Sequence, residues 1–329
     1  MENKNLFEKF VGQHDVKRKL GFYLNAYHTT KIFPSTLFAS PKGFGKSAIA
    51  RETAANLYEY DENGAVVTKP DGVTPKSKGF IELNASTIKN ARYFVTEVLV
   101  KHCVDKKTTV FIDELHSLKD CVAQILLTVL NPSAANFNTF CFDNYQVDID
   151  FRNFTFLCAT TETDKIFPPL LDRLHRIQLQ EYSTEDLAKI VQRAAPEIDF
   201  QDGVLADIST VVRGNPRASV KMASDIKTYA CETKKFGAKA WADLKSILSI
   251  RPLGLTSTEI LLLRLMAANP NGSSLTNLAA RTGLSKTVIQ ADYESYLQRN
   301  NLMRIEAGRG RVISAAGQDY LKNLDACPA

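Results

Sequence analysis

Short apolar runs alternate with helical segments over the first 181 residues. Ser35-Thr36-Leu37-Phe38-Ala39 reads as a buried strand, and Ala48 to Ala55 reads as a helix. Thr108-Thr109-Val110-Phe111-Ile112 is a second run without polar alternation, the pattern of a strand buried on both faces. Strands separated by helices in this way predict a parallel sheet flanked by helices, an α/β domain over 1–181. Residues 59–79 interrupt the alternation with turn-forming clusters and predict an inserted loop or hairpin. From 182 to about 250 the pattern is helical, with acids in first turns. Arg251-Pro252-Leu253-Gly254 reads as a linker. Beyond it, amphipathic helices near 256–268 and 274–281 lead to a third helix with Ser285 as its N-cap. Leu302 to Glu306, a turn at Gly308-Arg309-Gly310 and Arg311-Val312-Ile313 then predict a hairpin. Three helices followed by a hairpin form a winged helix, so the chain divides into 1–181, 182–251 and 252–329.

The chemistry begins in the octapeptide Ser40-Pro41-Lys42-Gly43-Phe44-Gly45-Lys46-Ser47, set between the strand and the helix. Strand, glycine loop, Lys-Ser and helix is the context of a phosphate-binding loop. Gly43 and Gly45 allow the backbone to curl so that its N–H groups face phosphate oxygens, with Phe44 between them. The helix start, where Ala48 follows, adds a partial positive charge. Lys46 is placed to reach the β and γ phosphates, and the Ser47 hydroxyl to ligate Mg²⁺. Ser40 stands where the motif has its first glycine.

The second run closes on two acids, Asp113-Glu114, followed by Leu115-His116. Ligands of open α/β sheets bind at the carboxyl ends of strands. Asp113 is suited to the Mg²⁺ shell and Glu114 to polarising an attacking water. His116 reads as structural, since Glu114 already supplies the base. No Asn-Lys-x-Asp element for guanine occurs, so ATP is the expected nucleotide.

Composition adds little beyond exclusions. The chain has 329 residues, 44% of them apolar and 23% charged, with a net charge of +5. That balance permits nucleic-acid binding without arguing for it. The polar start and the lack of a long apolar run predict a cytoplasmic protein with no membrane span. Six scattered cysteines without a Cys-x-x-Cys pair read as reduced core thiols.

Taken together, these motifs resemble the RuvB family, AAA+ ring motors that drive Holliday-junction branch migration. Phe10-Val11-Gly12-Gln13 resembles the element bordering the adenine, which implies nucleotide contacts at Val11 and Gly12. Phe156 to Thr161 resembles the first sensor and puts Thr161 near the γ-phosphate. Pro169 to Leu174 resembles the arginine-finger segment, with Arg173 acting on a neighbouring subunit's nucleotide. Arg213-Gly214-Asn215-Pro216-Arg217 resembles the second sensor, with Pro216 and Arg217 at the nucleotide; Tyr182 belongs to the same expected binding set. The resemblance further implies a homo-oligomeric ring, a hexamer, acting on double-stranded DNA at a four-way junction. A hairpin over 136–152 sits where the family docks RuvA. The wing, with Arg304, Arg309 and Arg311 near its glycines and Arg299 close by, is the expected contact to DNA phosphates, opposed by Glu306. An ATP-switched loader or replication initiator shares the combination of ATPase and winged helix and is the rival reading. A scaffold with degenerate hydrolysis is a third, disfavoured by Lys46, Asp113 and Glu114.

Overall fold

The computed structural model describes residues 7–104, 106–131 and 136–326. Its strands in chain order are β1 (Thr36–Ala39), β2 (Gly79–Asn84), β3 (Thr108–Asp113), β4 (Phe137–Phe142), β5 (Tyr145–Asp150), β6 (Phe154–Thr160) and β7 (His175–Gln178). Five of these form one sheet in the order β2-β3-β6-β1-β7, and every pairing is parallel. The alternating direction of side chains along each strand splits the apolar runs between two cores. Leu37, Val110, Ile112, Phe156 and Cys158 pack on one face, against the helical segments Ala91–Val100 and Asp120–Val129. Phe38, Phe111, Leu157, Ala159 and Ile177 pack on the other, against the helices His14–Thr30 and Lys46–Ala55. Covering both faces is why β1 and β6 are buried along their whole length. β4 and β5 form the antiparallel hairpin expected over 136–152, turning at Asp143-Asn144.

The contacts group the chain into two units. One runs through Ile190 and includes Gly214–Val220; the other comprises Val191–Arg213 and the chain from Lys221 onward. In the second unit the expected all-helical 182–250 segment needs a correction. Asp199–Phe200 (β8) and Lys235–Phe236 (β9) pair in parallel, and the buried Phe236 packs edge-on to Phe200. The helices Ser257–Ala267 and Leu275–Thr282 follow as expected. The third is continuous from Lys286 to Arg299, with a wide π segment at Ile289–Glu294 and Ser285 capping its start. Met303–Glu306 (β10) and Gly310–Ile313 (β11) make the wing. A terminal helix, Ala315–Ala326, was not foreseen; its Leu321 joins Leu262, Met266, Leu278, Ile289 and Leu297 in the core.

The 59–79 insertion is a bridged flap rather than open loop, with Tyr58 opposite Ser77, Tyr60 opposite Val66 and Thr68 opposite Pro75. His28 ties it down by stacking on Tyr58 and bonding the Tyr60 hydroxyl at 2.6 Å. Among the described cysteines, Cys103 and Cys158 are buried as expected, whereas Cys121, Cys141 and Cys231 are exposed. Cys327 and the polar start of the chain lie outside the described residues. Among the described residues no single helix is long and apolar enough to cross a membrane.

Candidate nucleotide site and winged-helix surface

The glycine loop follows β1, at the carboxyl edge of the sheet. Gly43 and Gly45 have φ of +88° and +95°, which side chains of L-residues resist. A Cβ at Gly43 would also fall 2.4 Å from Asn215 Oδ1. Lys46 is buried and donates from Nζ to the carbonyls of Ser40 at 2.8 Å and Pro41 at 3.1 Å. Burial lowers its ammonium below the usual lysine range; Glu114 and Asp113 oppose that shift and Arg217 adds to it. These four charges therefore share one electrostatic neighbourhood. Phe44 is buried and Ala48 exposed.

β3 delivers the acids. The Ser47 hydroxyl donates to Asp113 Oδ2 at 3.0 Å, joining the loop to the strand end. Glu114 follows in the left-handed region, at φ 53°, which turns its side chain off the strand. Its Oε2 accepts from the Thr161 hydroxyl at 3.2 Å, just beyond β6. The ends of β1, β3 and β6 thus bring Lys46, Ser47, Asp113, Glu114 and Thr161 together.

The remaining expected contacts are positioned by backbone links. Gly12 has φ +64°, and a Cβ there would lie 2.7 Å from an Asp186 carboxylate oxygen; Val11 beside it is half-buried. Gln13 is buried and makes both amide bonds to Gln180, donating to its carbonyl at 2.7 Å and accepting from its N–H at 2.9 Å. The Tyr182 hydroxyl donates to the Phe44 carbonyl at 3.1 Å, so Tyr182 braces the loop. Pro216 opens the helix Pro216–Tyr229, where its missing N–H is harmless. The Arg217 N–H donates to Asn215 Oδ1 at 2.9 Å and to the Gly43 carbonyl at 3.3 Å, while Asn215 Nδ2 donates to the Lys42 carbonyl at 3.2 Å. Asn215, Gln13 and Gln180 were missed as individuals from sequence; only their motif neighbours gave a signal. Arg173 stands apart. It is exposed and donates to the Pro169 carbonyl at 3.0 Å, a turn away in its own segment.

The wing differs from expectation. Arg311 is not an open phosphate contact: it pairs bidentately with the buried Glu294 at 2.7 and 3.1 Å. A desolvated carboxylate needs that partner, so Arg311 is structural. Arg304 and Arg309 both remain exposed and share Glu306, at 2.6 and 2.7 Å.

The family model for AAA, the ATPase family associated with various cellular activities, matches residues 36–182. The model for the RuvB C-terminal winged helix domain matches 252–322. Two similar curated proteins are named Holliday junction branch migration complex subunit RuvB. The one from Ehrlichia canis (strain Jake) is 28% identical, covering 97% of this chain and 92% of that one. The one from Rickettsia africae (strain ESF-5) is 26% identical, covering 96% and 88%. In fold the chain matches the solved Thermotoga maritima RuvB Holliday junction branch migration motor, with a TM-score of 0.72 at 21% identity over 96% of each chain. The chain thus joins an AAA ATPase domain to a RuvB-type winged helix and is similar to RuvB proteins along nearly its whole length.

Proposed function

We propose that this protein is a DNA-dependent ATPase that drives branch migration of four-way DNA junctions as a ring. The observation that carries the reading is the convergence of Ser47 on Asp113 and of Thr161 on Glu114 at the carboxyl ends of three parallel strands. That arrangement suits phosphoryl transfer to water, where positioning and charge do most of the work. The relatives' shared name supports the choice of substrate.

Backbone N–H groups of the glycine loop and Lys46 bind the ATP phosphates. Lys46 has to exchange its carbonyl partners Ser40 and Pro41 for phosphate oxygens. The oxygen donors of Ser47 and Asp113, 3.0 Å apart, fit Mg²⁺. When bound, the ion would supply neutralisation of the phosphate charge. Glu114 accepts the proton of the attacking water. Thr161 fixes that carboxylate and lies near the γ-phosphate. Arg217 contacts phosphate in cis, and Arg173 stabilises the charge on a neighbouring subunit's nucleotide. The exposed Arg304 and Arg309 contact DNA phosphates without reading base edges, which suits a motor that tracks any duplex. The β4–β5 hairpin docks a RuvA-like junction-binding partner.

The test is conversion of a synthetic four-way junction to duplex products. With ATP and Mg²⁺ the wild type should dissociate the junction, and Lys46→Ala should not. ATP hydrolysis without any junction processing, even with a junction-binding partner supplied, would overturn the motor reading.

A further inference from the structure

We propose that His116 is a positioning residue for Glu114, acting through its Nδ1–H. This rests on Glu114 being the base proposed above.

His116 sits on the short 3₁₀ turn Leu115–Ser117, directly after the two acids. Its Nδ1 lies 3.0 Å from Thr160 Oγ1 and 3.5 Å from Glu114 Oε2. The Thr160 hydroxyl donates to the Glu162 carbonyl at 3.2 Å and accepts from the Glu162 N–H at 3.1 Å. With its one proton committed, Thr160 can only accept from the imidazole. The network therefore assigns the proton to Nδ1. Nδ1 also lies near Glu114 Oε2, the oxygen that accepts from Thr161 at 3.2 Å. That oxygen is thus bonded by Thr161 just beyond β6 and flanked by an imidazole that Thr160 holds in place.

The far side of the ring carries no proton in this tautomer and donates no hydrogen bond. Nε2 lies 3.6 Å from Glu162 Oε1, and Glu162 is itself paired with Lys165. The imidazole is mostly buried, with 15% of its side chain exposed. A structural histidine in an apolar pocket would need none of these polar partners. Glu114 starts from a left-handed backbone position that does not by itself fix the carboxylate, and a misplaced catalytic group loses rate steeply.

The experiment compares steady-state ATPase kinetics of the full chain with His116→Asn, His116→Gln and His116→Ala, and with Glu114→Gln as reference. The Asn amide nitrogen falls where Nδ1 stood, whereas the Gln amide reaches the Nε2 position. Ala and Gln should lower kcat roughly 10- to 100-fold, leaving KM for ATP unchanged, and Asn should keep most of the rate. Wild-type kcat in all three variants would overturn the proposal. So would Gln performing as well as Asn, or Asn falling as far as Ala. Thermal unfolding is followed in parallel; if the Ala variant does not fold, the Asn and Gln pair decides. Normal turnover by Glu114→Gln would sink the base assignment, and this proposal with it. An inactive Glu114→Gln beside fully active His116 variants would sink this proposal alone.

Discussion

Around Ser47 the polar side chains come from the ends of three parallel strands, and among the described residues neither Lys46 nor Asp113 forms a salt bridge there. Lys46 bonds carbonyls and Asp113 accepts from a hydroxyl. On the wing, every arginine of β10, β11 and their turn is matched by an acid: Arg304 and Arg309 by Glu306, Arg311 by Glu294. One region keeps its charges available for a ligand. The other has committed one arginine to the core and restrains two at the surface. Both regions hold basic residues beside positive-φ glycines, so composition alone does not separate them. Burial of the partner acid does: Glu294 is 5% exposed.

The largest effects are expected on hydrolysis at the first region, from Arg173 of a neighbouring subunit and from the site's own residues. Arg173→Ala should retain ATP binding and lose about 10³- to 10⁵-fold in hydrolysis, the worth of an arginine finger. Mixing it with Lys46→Ala should restore some turnover, because one class of interface then pairs an intact loop with an intact Arg173. No recovery in rings shown to co-assemble would return Arg173 to its local bond with Pro169. Glu114→Gln should bind ATP normally and lose on the order of 10²-fold or more in turnover, whereas Lys46→Ala should fail at binding. Equilibrium nucleotide binding and steady-state rates separate the two.

The wing should respond in stability and salt dependence instead. Arg311→Ala leaves a buried carboxylate unpaired and should cost on the order of 3 kcal/mol in chemical denaturation. Replacing Glu294 and Arg311 together by Leu and Met should recover most of that loss. If Arg311→Ala unfolds like wild type but weakens DNA binding, the division between the regions is wrong. The smallest effect belongs to Arg304→Ala with Arg309→Ala. Stability should change by less than about 1 kcal/mol. The salt slope of duplex binding should fall by roughly one to two units, equally on unrelated sequences.

The sheet was legible because buried parallel strands leave uninterrupted apolar runs, as β3 and β6 do. That Lys46, Ser47, Asp113 and Glu114 would come together was legible because the chemistry fixes both residue type and spacing. Residues whose role depends on distant partners were not. Asn215 braces the glycine loop across 173 positions of sequence, and Gln13 meets Gln180 across 167. No local pattern reports such pairs. The pairing of Arg311 was missed for the same reason: Glu294 lies on another element. β8 and β9 were missed because two-residue strands carry no periodicity, and the exposed cysteines because apolar neighbours in sequence do not guarantee burial in space.

ATP turnover measured with and without four-way-junction DNA tests the motor reading most directly. A motor that couples hydrolysis to movement along duplex arms should be strongly stimulated by the junction, with stimulation lost in the Arg304, Arg309 double variant at moderate salt. Slow hydrolysis that is indifferent to the junction would contradict it and favour an ATP-switched loader.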